Sequence, residues 1–373
     1  MKILMICYEF PPLGGGGAKV LHGLAKELVM MGHEVDIVTM HFRGMARTEK
    51  IDGINIYRVP CIRLRKSICS FFEMIPYLLF AIPLVLRLLK QKQYDINHTH
   101  FIFPDGVIAY VVNALKGFPY LCTAHGSDVP GYNPNRFRIL HRILVSLWRK
   151  IVKQSLCIVC PSRFLEQLVV NSYPKASTIL IPNGFTLDRF VAHRPKRDCI
   201  LVVSRMFERK GIQYFLYALK DLDLQVDIHI VGNGPYLDIL KKIAKDLSTP
   251  IQFHGFLDNK SPELRELFET SKIFVFPSKV ENFPVVLLEA MAAGMAIITT
   301  EGTGCGEVVR DTALLVPSED PEATKKALLT LLDDNALCEQ LGTRARKRLE
   351  DNFSWRAITN KYKKLYIRYT SLE

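Results

Sequence analysis

At 373 residues, 49% hydrophobic and 23% charged, the chain has a globular composition and exceeds one ordinary core, so two domains are expected. Its net charge of +12 is uneven: residues 1–190 carry 23 Lys and Arg against 12 Asp and Glu, and residues 191–373 carry 26 against 25. Nine scattered cysteines, odd in number and mostly inside apolar runs, argue against a disulfide scaffold and fit a reducing compartment.

Residues 2–7 read as a short buried strand that Met1 opens onto directly, so no signal peptide is expected. Pro11-Pro12-Leu13-Gly14-Gly15-Gly16-Gly17 reads as a loop. Residues 18–31 then show helical periodicity through Val20, Leu21, Leu24 and Leu28, stopping at Gly32. With a strand at 35–39 this is a βαβ unit, and its continuation implies a parallel sheet covered by helices. Further strands are expected at 54–59, 96–98, 120–123, 158–160 and 179–181. Cys157 and Cys160 have CxxC spacing inside an apolar strand, where they face opposite sides; they read as core.

A second series begins at Cys199, with strands expected at 200–203, 226–231, 251–253, 273–276 and 296–299. The polar segment 183–198, containing Gly184 and Pro195, suits a linker. The expected fold is α/β: two doubly wound, Rossmann-like domains with a cleft between them, at 1–190 and 191–353. Ligands of such sheets bind beyond the carboxyl ends of the strands.

Residues 67–92 are strongly apolar. The longest uncharged run, 74–86, falls short of the ~20 residues that span a bilayer, and Pro76 and Pro83 interrupt it. Arg63, Arg65 and Lys66 precede the segment; Arg87, Lys90 and Lys92 close it. Basic flanks around an apolar helix suit a membrane interface. A helix buried in the first domain is the alternative; the charge of the whole half favours membrane contact.

Several strand ends carry groups with chemical potential. The run Gly14–Gly17 offers exposed amides but matches neither dinucleotide nor triphosphate fingerprints, and could be purely a turn. His125-Gly126-Ser127-Asp128 follows the strand at 120–123. Arg205 and Lys210, five apart after a strand, can converge on a diphosphate and stabilise its departure. Gly232-Asn233-Gly234-Pro235 could approach a ligand or turn the chain. His254-Gly255-Phe256 offers backbone groups to a flat base.

The segment Glu281-Asn282-Phe283-Pro284-Val285-Val286-Leu287-Leu288-Glu289 is the most informative. Asn282 or Phe283 can cap a helix, Pro284 suits its first turn and Gly294 its end. Glu281 then lies before the helix and Glu289 about 7 Å along it, at ~1.5 Å per residue. Between them, amides at the helix start point outward toward an anion. An elongated ligand with hydroxyls at both ends and phosphates in the middle fits this pattern, and a nucleotide-sugar is such a ligand.

Taken in order, these motifs, with Gly32-His33-Glu34-Val35, Ile181-Pro182-Asn183-Gly184 and Leu314-Leu315-Val316-Pro317, resemble family 4 (group 1) glycosyltransferases of the GT-B fold over nearly the whole chain. The resemblance implies a retaining transferase of the EC 2.4 hexosyltransferase type, with a UDP- or GDP-sugar as co-substrate and neither metal nor cofactor. It implies catalytic roles for His125, Glu281, Arg205 and Lys210. Donor contacts are implied for Gly15, Gly16, Arg205, Lys210, Gly232, Phe256, Glu281, Asn282, Phe283, Pro284, Val285 and Glu289, with Glu289 on the ribose and Phe256 near the base. It also implies that residues 354–373, amphipathic through Trp355, Ile358, Tyr362, Leu365 and Tyr366, return to the first domain. Pro284 stands where many relatives have Gly, which removes one amide donor.

The expected acceptor is lipid-linked or a cell-surface glycan, and the expected location is cytoplasmic, peripheral on the inner face of an anionic membrane. A nucleotide-sugar epimerase of the same fold is an alternative. A basic nucleic-acid-binding protein is another, but it leaves the two glutamates unexplained, and no nucleic-acid partner is expected.

Overall fold

The structure, a computed structural model, describes residues 1–66, 69–132, 138–191 and 194–370. Ser67 and Ile68 of the expected apolar helix, and Ala192 and His193 of the expected linker, lie outside the described residues. The chain divides into two units, Met1–Gly184 with Trp355–Glu373, and Phe185–Ser354.

The strands of the first unit are β1 (Lys2–Ile6), β2 (Glu34–Met40), β3 (Thr48–Ile51), β4 (Ile54–Val59), β5 (Ile96–His100), β6 (Tyr120–Thr123), β7 (Ile158–Cys160) and β8 (Thr178–Leu180). Its helices are α1 (Gly16–Met30), α2 (Phe71–Gln91), α3 (Asp105–Lys116), α4 (Arg138–Gln154) and α5 (Arg163–Ser172). The 8-stranded sheet runs β3-β4-β2-β1-β5-β6-β7-β8. All pairs are parallel except β3 with β4. Ile3, Leu4, Met5 and Ile6 are fully buried at its centre, as a strand covered on both faces requires.

In the second unit the strands are β9 (Arg197–Val203), β10 (Asp227–Val231), β11 (Ile251–Gly255), β12 (Ser271–Phe276), β13 (Ala296–Thr300) and β14 (Leu314–Val316). The helices are α6 (Ile212–Ala218), α7 (Leu237–Ala244), α8 (Pro262–Thr270), α9 (Val285–Ala292), α10 (Gly304–Val309), α11 (Pro321–Asp333) and α12 (Asn335–Phe353). The wholly parallel sheet runs β11-β10-β9-β12-β13-β14. Strand order therefore reverses between β9 and β12, the switch point at which doubly wound sheets bind ligands. In the first unit the reversal is between β1 and β5.

The final helix, α13 (Trp355–Thr370), belongs to the first unit. Its Tyr366 hydroxyl lies 2.6 Å from His98 Nδ1, and its Tyr362 hydroxyl 3.2 Å from Thr123 Oγ1. The Trp355 ring fills space that Gly23 and Gly184 leave: a Cβ on either would come within 2.2 Å of it.

The structure departs from the expected boundaries in two places. The chain enters the second unit at Phe185 rather than after residue 190, because Phe185 and Phe190 pack with Phe268 and Phe274 in that unit's core. Phe185 N also donates to Phe353 O at 2.7 Å. Strand β3 was not expected; it closes on β4 through Asp52 and Gly53, both at positive φ. The apolar segment is one continuous helix, α2, despite Pro76 and Pro83. Among the described residues it alone is long and apolar enough to cross a membrane.

Candidate active site

In the second unit, the loops after β9 and β12 lie side by side because their strands are neighbours. The first ends in a short 3-10 turn, Glu208–Lys210, closed by Gly211 at φ +70. A Cβ on Gly211 would sit 2.0 Å from Pro277 O, so the two loops can approach this closely only through a glycine. The approach brings Lys210 Nζ onto Glu281 Oε1 in an ion pair between two nearly buried side chains. Ser278 Oγ donates to the same carboxylate oxygen at 2.9 Å. Arg205, by contrast, is exposed beside the Phe207 ring, and among the described residues it makes no ion pair.

Glu281 is fixed from behind as well. Gly304 N donates to Glu281 O at 3.0 Å, and a Cβ on Gly304 would meet Asn282 O at 1.7 Å. Helix α9 starts immediately afterwards. Pro284 is its N-cap rather than part of its first turn, a correction to the expected register: at ψ 108 it is extended, and Val285 is the first helical residue. The Phe283 ring packs edge-on against Phe353 in the core. Asn282 is buried.

One turn further on, Glu289 is buried and ion-paired with Arg189, whose Nη2 also donates to Asn259 O at 2.7 Å. Arg189 links the α9 carboxylate to the loop after β11. It was not among the expected site residues, since it fell in the presumed linker. The signal was indirect: a glutamate inside so apolar a helix needs a cation nearby. In that same loop Phe256 is 72% exposed, its ring free at the strand end.

Gly232 has a structural role. At φ +137 it donates to Gly255 O at 2.6 Å, and a Cβ would lie 1.7 Å from Ser204 O. It lets the loops after β9 and β10 touch.

In the first unit, His125 follows β6. Its Nε2 lies 3.1 Å from His100 Nδ1, and its ring packs on Phe101 with centroids 4.3 Å apart. Asp128 braces this corner by accepting from the amides of His125, Gly126 and Ile102. Burial pushes the Asp128 carboxyl up to about 6, against the pull of those amides, and holds His125 down to about 3, a neutral ring. A Cβ on Gly17 would lie 2.6 Å from the Phe101 ring and 3.4 Å from His125 Nδ1, so α1 starts against this cluster.

Gly15 and Gly16 are open: among the described residues nothing lies within 4 Å of a Cβ built on either. Gly15 N, expected to meet a phosphate, donates to Glu9 Oε2 at 3.2 Å. Gly14 and Gly17 are the sterically required members of the run. Among the described residues no group of three or more His, Cys, Asp or Glu is arranged to hold a metal.

The family model for Glycosyltransferase Family 4 matches residues 14–189, and that for Glycosyl transferases group 1 matches residues 185–348. This chain is a family 4, group 1 glycosyltransferase. The glycosyltransferase is 26% identical to N-acetyl-alpha-D-glucosaminyl L-malate synthase of Bacillus anthracis, over 98% of this chain and 96% of that one. Its fold is that of sucrose-phosphate synthase from Thermosynechococcus elongatus (TM-score 0.81, 22% identity, all of both chains). Anabaena HepE in complex with UDP also matches (TM-score 0.76, 16% identity, 98% of this chain and 99% of that). The architecture is GT-B, with two Rossmann-like domains, and the enzyme is of the EC 2.4 hexosyltransferase type.

Proposed function

We propose that this glycosyltransferase moves a sugar, with retention at the anomeric carbon, from a UDP- or GDP-sugar to a lipid-linked or cell-surface glycan acceptor. It works in the cytoplasm at the inner face of the membrane. The observation that carries the donor reading is that both glutamates at the second unit's switch point are buried and ion-paired, Glu281 with Lys210 and Glu289 with the half-buried Arg189. Buried ion pairs contribute little net stability, because desolvation offsets their attraction. Two pairs built on buried glutamates at a ligand-binding strand end are better explained as partners that a ligand rearranges. UDP in the Anabaena relative supports a nucleotide donor.

In this reading Glu289 accepts from the ribose hydroxyls and Glu281 from the donor sugar, while Phe256 stacks on the base. Arg205 and Lys210 take the diphosphate, with no metal needed. As the bond from the anomeric carbon to the phosphate oxygen breaks, the two cations stabilise the charge left on the diphosphate. The acceptor hydroxyl attacks from the leaving-group face, and its proton passes to the departing phosphate oxygen. His125, neutral at physiological pH, supplies a hydrogen bond to the reacting sugar.

A thermal-shift screen against UDP- and GDP-sugars tests the reading, since a bound donor stabilises the folded state by mass action. Wild type should shift with one nucleotide class and Glu289→Ala should not. Transfer activity that survives both Glu289→Ala and Lys210→Ala would overturn the assignment.

A further inference from the structure

We propose that the outer face of α2, continued by Ile62 and Leu64, is the surface by which this protein lies on an anionic lipid bilayer, with the helix in the plane of the interface. The inference deepens the proposed membrane-proximal function by assigning the membrane to one named surface.

Helix α2 has two opposed faces. Successive residues turn about 100° around the axis. Glu73, Tyr77, Ala81, Val85 and Leu88 therefore form one stripe, and all five are buried. Phe72, Ile75, Leu79 and Pro83 form the opposite stripe, and all four are exposed. Phe72 is 79% exposed and Leu79 66%, and Phe80 adds to the same side. Only 28% of the helix's most apolar 18-residue window is buried. The surface continues past the helix start. Leu64 N donates to Glu73 Oε1 at 2.7 Å, which ties Leu64, itself 79% exposed, to the first turn. A contiguous apolar patch of this kind on a folded unit marks an interaction site.

Charge selects the partner. Arg65 and Lys66 lie at one end of the stripe, Arg87 and Lys90 at the other, and all four are exposed. Among the described residues none of them forms an ion pair. At the Lys90 end an open cavity of about 570 Å³ sets Lys92 and Lys116 against the single carboxylate Asp95, beside Leu86 and Phe118. Apolar side chains between unpaired cations match acyl chains beneath anionic headgroups.

The helix is held on the surface and does not cross. Its inner stripe is part of the first unit's core, where Tyr77 donates to Asp105 Oδ1 at 2.6 Å; spanning would strip that core and expose a buried carboxyl. Pro76 and Pro83 also deprive the carbonyls of Phe72 and Leu79 of their helical donors. Both lie on the outer stripe, where interfacial water can reach them and hydrocarbon could not.

Flotation of the full chain with vesicles of phosphatidylcholine alone, and of phosphatidylcholine with phosphatidylglycerol, tests the proposal. Wild type should float with the anionic vesicles at low salt and be released at high salt. R65E/K66E should weaken the partition by at least about 25-fold, since the loss of each basic residue alone costs roughly fivefold. F72S/L79S should weaken it at least tenfold. Both variants alter exposed residues, so their melting temperatures should match wild type. Equal flotation of the variants and wild type would overturn the proposal. So would a wild-type dimer in sedimentation that F72S/L79S dissociates, which would assign the face to a second copy of the chain. A protein that ignores vesicles yet shifts with a nucleotide-sugar overturns this inference and leaves the donor reading standing.

Discussion

His100 and His125 share a hydrogen bond between Nδ1 of the first and Nε2 of the second, at 3.1 Å. Burial pushes His100 well below its ordinary value and His125 down to about 3, so both rings are neutral and one nitrogen must donate. Among the described residues, His100 Nε2 is buried and has no partner. An orphaned acceptor is tolerated better than an orphaned N–H, so the proton sits on His100 Nδ1 and points at His125. That fixes the other proton on His125 Nδ1, the nitrogen nearest Gly17. His125 is then a hydrogen-bond donor rather than a base. His100→Phe should lower kcat by about tenfold, the size of one lost hydrogen bond of about 1–1.5 kcal/mol, with little change in donor KM. Steady-state kinetics on both parameters checks it.

The same burial gives a pH signature. The folded pKa of His125, about 3, lies below the ordinary 6.5. Between those values the unfolded chain binds a proton that the folded chain does not. The stability associated with the neutral ring is therefore complete above pH 6.5 and erodes as pH falls. Buried acids such as Asp128, raised to about 6, act in the opposite sense, so the whole-protein curve mixes both. The difference between wild type and His125→Asn isolates the ring. His125→Asn should gain on wild type by up to about 1.4 kcal/mol per pH unit below pH 6.5, read from denaturant midpoints. Activity should show no acid limb near pH 6.5 from this residue.

Lys210 and Glu281 are both nearly buried, so removing one leaves the other charge in a poor solvent. Lys210→Met or Glu281→Gln alone should each destabilise the second unit by about 3 kcal/mol or more, and the double variant by less than either. Chemical denaturation of the three proteins measures the coupling. All three should lose transfer activity, because each removes a side chain proposed to hold the donor, and only the double variant does so with most of the stability restored.

The elements that the sequence made legible are those in which local pattern and final environment agree. The buried strand at β1, the helix through Val20, Leu21, Leu24 and Leu28, and the helix between Glu281 and Gly294 each carry their own periodicity or capping signals. Strand β3 was hidden because Thr48-Glu49-Lys50-Ile51 is polar and lies at a sheet edge, where only its Asp52-Gly53 turn announces a hairpin. The helix expected in the apolar segment forms as α2 and runs through Pro76 and Pro83, its inner stripe anchored by Tyr77. Arg189 and the His100–His125 contact were out of reach for a different reason. They depend on which strand ends become neighbours, and that is a property of the sheet order, not of any local run.

Arg189 bridges Glu289 and Asn259 O, so it ties the α9 carboxylate to the loop that carries Phe256. If Glu289 receives ribose and Phe256 the base, both contacts depend on this bridge. Arg189→Ala should raise donor KM by about tenfold or more, while kcat falls less, since the diphosphate cations are untouched. Arg189→Lys should rescue poorly, because an ammonium cannot reproduce the forked donation to two acceptors. Donor titration by calorimetry on both variants distinguishes a binding loss from a folding loss.

Gly304 offers the sharpest separation of geometry from chemistry. It supplies no side chain to any ligand, yet its N–H holds Glu281 O at 3.0 Å and its missing Cβ leaves room for Asn282 O. Alanine there would place a carbon 1.7 Å from that oxygen, so the loop carrying Glu281 must shift. A displacement on the order of 1 Å at a positioning residue can cost about 100-fold in rate. Gly304→Ala should therefore lose activity on that scale. Gly306→Ala on the same helix, where the nearest atom is 3.7 Å away, should remain close to wild type. If the two alanines behave alike, the placement of Glu281 by α10 does not govern the reaction.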